Sequence, residues 1–223
     1  MPSVQSPSGE APTDRASDSG LTRQARQRPK PGERRVQILQ ALASMLEQPG
    51  VERITTATLA AHLEVSEAAL YRHFASKAQM YEGLLDYIEQ AVFSLINQIA
   101  EREIEATSTE RAGKVIQMVM QFSEKNPGLS RVMVGDALVF ENVRLQQRMN
   151  LFFDKIEASL KQILRVQADL PASATATVDA QVRASVLTAF LVGRLQRFVR
   201  SNFKRLPTEN LAASLFLILQ PKG

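Results

Sequence analysis

The residues from Ser66 to Phe74 combine side chains that could read and hold DNA. Ser66 can cap the N-terminus of a short helix, and Leu70 and Phe74, four positions apart, predict one apolar face that packs on a core. Alanine side chains on the opposite face are short enough to let the helix backbone approach base edges in the major groove, where a methyl group can meet a thymine methyl. We therefore predict a recognition helix that presents Glu67, Ala68, Tyr71 and Arg72 to DNA, with Ser66 and Ala69 in the same DNA-facing region. Two roles are open for Glu67. Its carboxylate could accept a hydrogen bond from a cytosine amino group, or it could simply stabilise the helix by its negative charge at the N-terminus.

The elements on either side must position this helix. The run from Ile54 to Leu63 predicts a helix of about two turns and Glu64-Val65 a tight turn, which together give helix-turn-helix spacing. Thr55 and Thr56 start the first helix, where a hydroxyl and free backbone N–H groups can hold a phosphate, with ordinary N-capping as the alternative. A capping box at Ser76-Lys77-Ala78-Gln79 opens the next helix. Lys77 then lies in the first turn of this helix, where the helix dipole disfavours a positive charge. A bound phosphate would offset that unfavourable interaction.

The segment ITTATLAAHLEVSEAALYRHFASKAQMYEGLL resembles the DNA-binding domain of the TetR family, whose signature is a Leu-Tyr-x-His-Phe run followed by Ser-Lys. The resemblance implies that Tyr71 and His73 brace the DNA backbone, with core packing as the alternative for both. It also implies a homodimer on near-palindromic double-stranded DNA. Glu64 departs from the family, which often has glycine there. If this position requires a positive φ, Glu64 costs about 1 kcal/mol relative to glycine.

Two later segments, EKNPGLSRVMVGDALVFENVRLQQRMNLFFDKIEASLKQIL and RFVRSNFKRLPTENL, resemble the nucleoid occlusion factors of that family. This resemblance implies that the DNA-bound protein interacts with FtsZ and blocks Z-ring assembly over unsegregated DNA. We expect the FtsZ surface at Tyr87, Lys125 and Asn126, because a cation and an aromatic ring suit a tail with acidic and apolar residues. A simple helix stop at Asn126-Pro127-Gly128 is the alternative. Higher-order assembly on DNA stays open.

Composition excludes several classes of protein. The 223 residues are 44% hydrophobic, carry a net charge of +4 and include no cysteine, so disulfides, thiolate zinc sites and cysteine nucleophiles are absent. The longest lipid-compatible stretch, from Ala184 to Gly193, is far short of the ~18 residues of a spanning helix. Both histidines lie in the helix-turn-helix region, and neither a phosphate-binding glycine loop nor a metal-ligand spacing occurs. We therefore expect a protein that is not an enzyme and has no cofactor and no membrane partner, and the family resemblance implies that it is cytoplasmic and nucleoid-associated.

Apolar spacing predicts an all-α fold, and the family resemblance implies that this fold is TetR-like. Residues 1–32 predict a disordered basic tail, residues 33–79 a three-helix DNA-binding domain, and residues 80–223 a helical dimerisation and partner-binding domain. Thr107 and Glu110 form a second capping box, and further helices are expected over residues 129–138, 141–166 and 178–203. Arg197, Arg200 and Lys204 share a face of the last of these, which fits a solvated face or a surface for an acidic partner.

Two other functions are compatible with these residues. A ligand-responsive TetR repressor would need an internal pocket with convergent polar groups, through which a small molecule changes the spacing of the recognition helices. A helical interaction scaffold would no longer bind DNA, and the intact basic residues Arg72 and Lys77 argue against it.

Overall fold

The computed structural model describes residues 32–50, 53–102, 105–165 and 174–220. These residues form helices and turns, with no strand among them, which confirms the all-α prediction. The helices are α1 (Glu33–Leu46), α2 (Thr56–His62), α3 (Glu67–Tyr71), α4 (Lys77–Arg102), α5 (Ser108–Lys125), α6 (Pro127–Met133), α7 (Val143–Arg165), α8 (Ala174–Arg200) and α9 (Leu211–Leu219), with a short 3-10 turn at Asp136–Leu138. The predicted tail lies outside the described residues except for Gly32.

Local chemistry explains where the short helices of the DNA-binding domain begin. The Thr55 hydroxyl accepts the Thr58 N–H and the Thr58 hydroxyl accepts the Thr55 N–H, so α2 starts with a reciprocal capping box. Ser66 caps α3, as predicted, by accepting the Ala69 N–H at 3.3 Å. Between the two helices Glu64 has φ of 55°. The left-handed turn that glycine would favour is therefore present, at a cost of about 1 kcal/mol.

The C-terminal domain is built on long helices whose apolar stripes face one core. α4 leaves the DNA-binding domain and buries Leu84, Ile88 and Val92 along its length. α7 and α8 pack antiparallel, since Gln181 near the start of α8 donates to Glu157 in the second half of α7 at 2.8 Å. The buried residues of both domains form a single continuous cluster. The position of the DNA-binding domain is consequently linked to the packing of the C-terminal helices.

Helix α5 begins as its sequence predicts. The Thr107 N–H donates to the Glu110 carboxylate at 2.8 Å, and the Thr107 hydroxyl accepts the Glu110 N–H at 3.2 Å. These hydrogen bonds from Thr107 hold the pKa of Glu110 below its ordinary value.

The helix predicted for residues 129–138 is wrong in its bounds. The Asn126-Pro127-Gly128 stop does end α5, but α6 starts at once with Pro127 in its first turn, where a missing N–H is not needed. Gly135 then adopts a left-handed φ of 80° and separates α6 from the 3-10 turn. Sequence periodicity continues across this break, which is why it predicted one helix.

The predicted helix over residues 178–203 is also displaced. α8 starts at Ala174 and ends at Arg200, after which Asn202 and Phe203 have φ of 50° and 63°. Lys204 therefore does not share a helical face with Arg197 and Arg200. The turn is stabilised by tertiary contacts, because the Phe203 ring packs on Phe198 with a centroid separation of 5.1 Å.

Candidate nucleic-acid interface and partner groove

Helix α3 has one buried and one exposed side. It spans only Glu67–Tyr71 and is shorter than the predicted run to Phe74, although the Phe74 N–H still donates to the Leu70 carbonyl at 3.1 Å. Leu70 and Phe74 are each 1% exposed and anchor the segment, as predicted. Ala68, Tyr71 and Arg72 are exposed, whereas Ala69 is half-buried. The exposed side thus offers a small residue flanked by an aromatic hydroxyl and a guanidinium.

The start of α2 is bonded to α3. The Thr56 hydroxyl donates to the Glu67 carboxylate at 2.6 Å, while Thr55 is engaged in its capping box. Sequence reasoning considered Glu67 as a base acceptor or a dipole partner and did not include this bond. Glu67 therefore joins the two helices in the unbound protein. Thr55 and Glu67 remain exposed and Thr56 is half-buried.

Arg35 of α1 holds the end of the recognition segment in place. Its guanidinium donates to the His73 carbonyl at 2.8 Å and lies 4.0 Å from the centroid of the Phe74 ring. The His73 side chain itself is exposed. Sequence reasoning missed Arg35, because nothing in the pattern of α1 shows which basic residue will reach a carbonyl 38 positions away.

Lys77 is paired with a carboxylate of the C-terminal domain. Its ammonium bonds to Glu141, two residues before α7, and lies 5.6 Å from the centroid of the Tyr81 ring. The two charged side chains are only 18% and 10% exposed. The pairing with Glu141 spans 64 positions, so no local sequence pattern indicates it. The phosphate contact expected for Lys77 stays a prediction, and it requires that a phosphate replace Glu141.

Tyr81, below this ion pair, is 1% exposed. Burial, and secondarily the charge of Glu141, raise the pKa of Tyr81, so its hydroxyl stays protonated. At the start of α4 the Ser76 hydroxyl accepts the Gln79 N–H at 3.1 Å, but the Gln79 side chain accepts from Ala75 at 2.7 Å rather than from Ser76. The predicted capping box is therefore present in a modified form.

The structure brings Tyr87 and Asn126 to one groove, here called the partner groove. It lies between α1, α4 and the α5–α6 junction, has a volume of about 350 Å³, and is lined by apolar side chains that include Leu39, Leu84 and Leu129. Tyr87 is 53% exposed, and Lys125, adjacent to Asn126, is exposed but is not one of the residues that line the groove. An apolar trough with an aromatic ring, an amide and a nearby cation can accept an extended or helical peptide.

Gly128 lets α6 approach α1 closely beside this groove. A Cβ atom at Gly128 would lie 2.0 Å from the carbonyl oxygen of Ala43, well inside any permitted contact. The backbone of α1 therefore packs directly on the first turn of α6, and only glycine permits this approach.

The described residues contain no group of three or more His, Cys, Asp and Glu side chains that could hold a metal ion. None of the helices over the same residues is both long and apolar enough to cross a bilayer. A small cavity between the two domains, bordered by Arg53, Tyr81 and Arg131, has a volume of about 10 Å³. A cavity of this volume holds about one water molecule.

Comparison with known families identifies both parts of the chain. Residues 38–84 match the family described as bacterial regulatory proteins, tetR family, and residues 107–221 match the SlmA-like family described as Tetracyclin repressor-like, C-terminal domain. The nucleoid occlusion factor SlmA of Idiomarina loihiensis is 51% identical over 180 residues, which cover 81% of this chain and 90% of the relative. That of Vibrio cholerae is 51% identical over 178 residues, covering 79% and 89%.

Solved structures of TetR-family regulators share the fold at low sequence identity. FadR of Bacillus subtilis in complex with stearoyl-CoA superposes with a TM-score of 0.65 at 17% identity, covering 84% of this chain and 99% of that one. The regulator PfmR of Thermus thermophilus gives a TM-score of 0.65 at 21% identity, covering 84% and 97%. The chain therefore belongs to the TetR family and, within it, to the family of the SlmA proteins.

Proposed function

We propose that the protein is a nucleoid occlusion factor. As a homodimer it binds near-palindromic DNA through α3, and in that state it binds FtsZ and blocks Z-ring assembly over the nucleoid in the cytoplasm. The observation that carries the proposal is the presence of an exposed recognition helix and an apolar partner groove on the same α1–α4 framework. The names of the relatives, which are about 50% identical to this chain, support it.

The DNA-binding part follows from the exposed side of α3. Ala68 would face base edges in the major groove, with Glu67 and Ala69 beside it, while Tyr71, Arg72 and His73 would contact the backbone at its end. Thr55, Thr56 and Ser66 lie at helix N-termini, where backbone N–H groups favour phosphate. Lys77 would join them after exchanging Glu141 for a phosphate.

The dimer follows from α8. Its buried face includes Leu187 and Leu191, but the opposite face exposes Val178, Val182 and Val186 at 60%, 54% and 47%. These valines repeat every four residues and form one apolar stripe. A second copy of α8 across a two-fold axis would bury both stripes and set two α3 helices on half-sites with dyad symmetry.

FtsZ is the proposed occupant of the partner groove. An FtsZ tail with acidic and apolar residues would place apolar side chains against Tyr87 and Leu84 and an acidic side chain near Lys125. Asn126 donates its side-chain N–H to the Phe122 carbonyl at 2.7 Å, so its side chain is held in place where it lines the groove.

Mapping the protein along its chromosome tests this function. Many dispersed sites away from promoters, each with dyad symmetry, are expected for nucleoid occlusion. Occupancy at one or two promoters would support a ligand-responsive repressor instead. The inter-domain cavity of about 10 Å³ is too small for such a ligand, whereas the groove of about 450 Å³ that Gln146, Asn150 and Gln196 line has the size of a ligand site and is where a repressor's ligand would be sought.

A further inference from the structure

Four cations surround the end of α8 in a segment that contains no acidic residue. Arg197, Arg200, Lys204 and Arg205, here called the basic turn, fall within nine consecutive residues and are all exposed. None of these four side chains has an ion-pair partner among the described residues. Because the four cations lie close together with no acidic residue between them, the basic turn is a local excess of positive charge.

The turn has a defined conformation despite its exposure. Phe203 adopts a left-handed φ of 63°, which costs a bulky residue about 1–2 kcal/mol. The conformation is held by the Phe203 N–H, which donates to the Phe198 carbonyl at 2.9 Å, and by the Arg131 guanidinium, 5.5 Å from the Phe203 ring centroid. The Ser201 hydroxyl accepts the Arg205 N–H at 2.9 Å. Lys204 and Arg205 are therefore presented on a fixed backbone.

The basic turn lies at the end of the C-terminal domain that meets the DNA-binding domain. Gln196 of α8 and Gln146 of α7 line the same groove, so the end of α8 lies beside the start of α7. Glu141, just before α7, pairs with Lys77 in the first turn of α4. On the other side Arg131 of α6 contacts Phe203, and α6 packs directly on α1.

The basic turn lies on the same side of α8 as the valine stripe. Arg200 follows Val182 by 18 positions, which is about five turns and about 27 Å of α-helix, so both residues point to the same side of α8. Two α8 helices that pair through the valine stripe would therefore both carry a basic turn at the end that meets the DNA-binding domain.

We propose that the basic turn binds backbone phosphates of the DNA between the two half-sites, as a second contact in addition to α3. The proposal rests on the proposed dimeric DNA binding. A DNA occupant is favoured over an acidic peptide because the turn lies at the end of the C-terminal domain that meets the DNA-binding domain, on the side of α8 that carries the valine stripe. Such contacts release counterions and add affinity without reading sequence.

The test uses the full chain and a duplex that the wild-type protein selects from random-sequence DNA. Affinity is measured by fluorescence anisotropy across a salt series for Arg200→Gln/Lys204→Gln and for a matched control. The control, Lys161→Gln/Arg165→Gln, removes the same charge at the far end of α7. Sedimentation and circular dichroism verify that both variants are folded dimers.

At about 0.15 M salt the basic-turn variant should bind the duplex at least about tenfold more weakly than the control. The slope of log K against log salt should become shallower by about 2 to 4, since the dimer loses up to about four phosphate contacts at about 0.9 each. Replacing the phosphates between the half-sites with neutral methylphosphonates should weaken the wild type and leave the variant nearly unaffected.

Equal affinities and salt slopes for the variant and the control would overturn the proposal while leaving dimeric DNA binding intact. A variant that keeps DNA binding but no longer binds an FtsZ tail peptide would assign the basic turn to an acidic peptide and overturn the DNA contact. Failure of the wild-type protein to select any dyad sequence would overturn the proposed function itself, and this contact with it.

Discussion

Replacing Glu141 with glutamine should strengthen DNA binding. In the unbound protein Glu141 holds the Lys77 ammonium, and both side chains are largely shielded from solvent. A phosphate must compete with this carboxylate for Lys77, and the carboxylate also repels the approaching DNA backbone. Glutamine has nearly the same shape and removes both effects. Glu141→Gln is thus expected to raise affinity, even though it removes an ion pair from the folded protein.

The magnitude follows from the burial of the pair. Exposed ion pairs contribute about 0–1 kcal/mol, and breaking a fully buried pair costs about 3–5 kcal/mol. With exposures of 18% and 10% the Lys77–Glu141 pair lies between these limits, so we take about 1 kcal/mol per protomer. That energy is about fivefold in affinity for one protomer and about 30-fold for a dimer on two half-sites. The free energy of unfolding should fall by a similar amount.

Fluorescence anisotropy with a dyad duplex measures the change, and Glu157→Gln is the control. Glu157 lies on α7, the helix that follows Glu141, but bonds to Gln181 far from Lys77. The Glu157→Gln substitution therefore changes the net charge by the same amount but leaves the Lys77–Glu141 pair intact. In a Lys77→Ala background the gain from Glu141→Gln should largely disappear. A folded Glu141→Gln dimer that binds DNA no more tightly than the control would refute the competition between Glu141 and phosphate.

Three further changes test separate parts of the account. Ala68→Leu should alter the preference among DNA sites more than the overall DNA affinity, because the larger side chain would meet base edges. In vitro selection with the wild type and the variant measures that preference, and identical consensus sites would contradict the prediction. Gly128→Ala should destabilise the fold by about 3 kcal/mol, because the added Cβ would collide with the Ala43 carbonyl. Thermal melting compares this variant with Gly113→Ala, where an added Cβ makes only ordinary contacts at 3.6 Å. Equal melting temperatures for the two variants would contradict the close packing of α6 on α1. Lys125→Glu should weaken binding of an FtsZ tail peptide at least about tenfold, while dimer formation and DNA affinity stay at wild-type levels. If calorimetry shows an unchanged affinity for the peptide, Lys125 is not part of the partner surface.

Sequence predicts the parts of this fold that depend on local chemistry. The caps at Ser66 and Thr107 and the left-handed turn at Glu64 involve residues within about four positions of each other, and all three are present. Apolar spacing likewise gave the number and order of the long helices. Their ends were less predictable, because Gly135 and Phe203 adopt left-handed conformations that tertiary packing selects.

The candidate sites show the same division. Exposure of Ala68 and Tyr71 opposite buried Leu70 follows from helical periodicity. The partner of Lys77 could not be predicted, because the Glu141 contact depends on how α7 meets α4. Tyr87 and Asn126 are predicted from the family resemblance together with the chemistry that suits an acidic and apolar tail. Their convergence on one groove depends on the crossing of α1, α4 and α6, which no pattern within a single helix encodes.

Sedimentation of a ternary mixture tests most directly the central claim, that the DNA-bound dimer itself binds FtsZ through the partner groove. The sample contains the full chain, the selected duplex and fluorescently labelled FtsZ, each followed at its own wavelength. The account predicts one species that carries all three components, and it predicts that Tyr87→Ala/Lys125→Glu releases FtsZ from a protein–DNA complex that is otherwise intact. FtsZ that sediments alone in the presence of the saturated wild-type complex, or that stays bound to the double variant as tightly as to the wild type, would contradict the account.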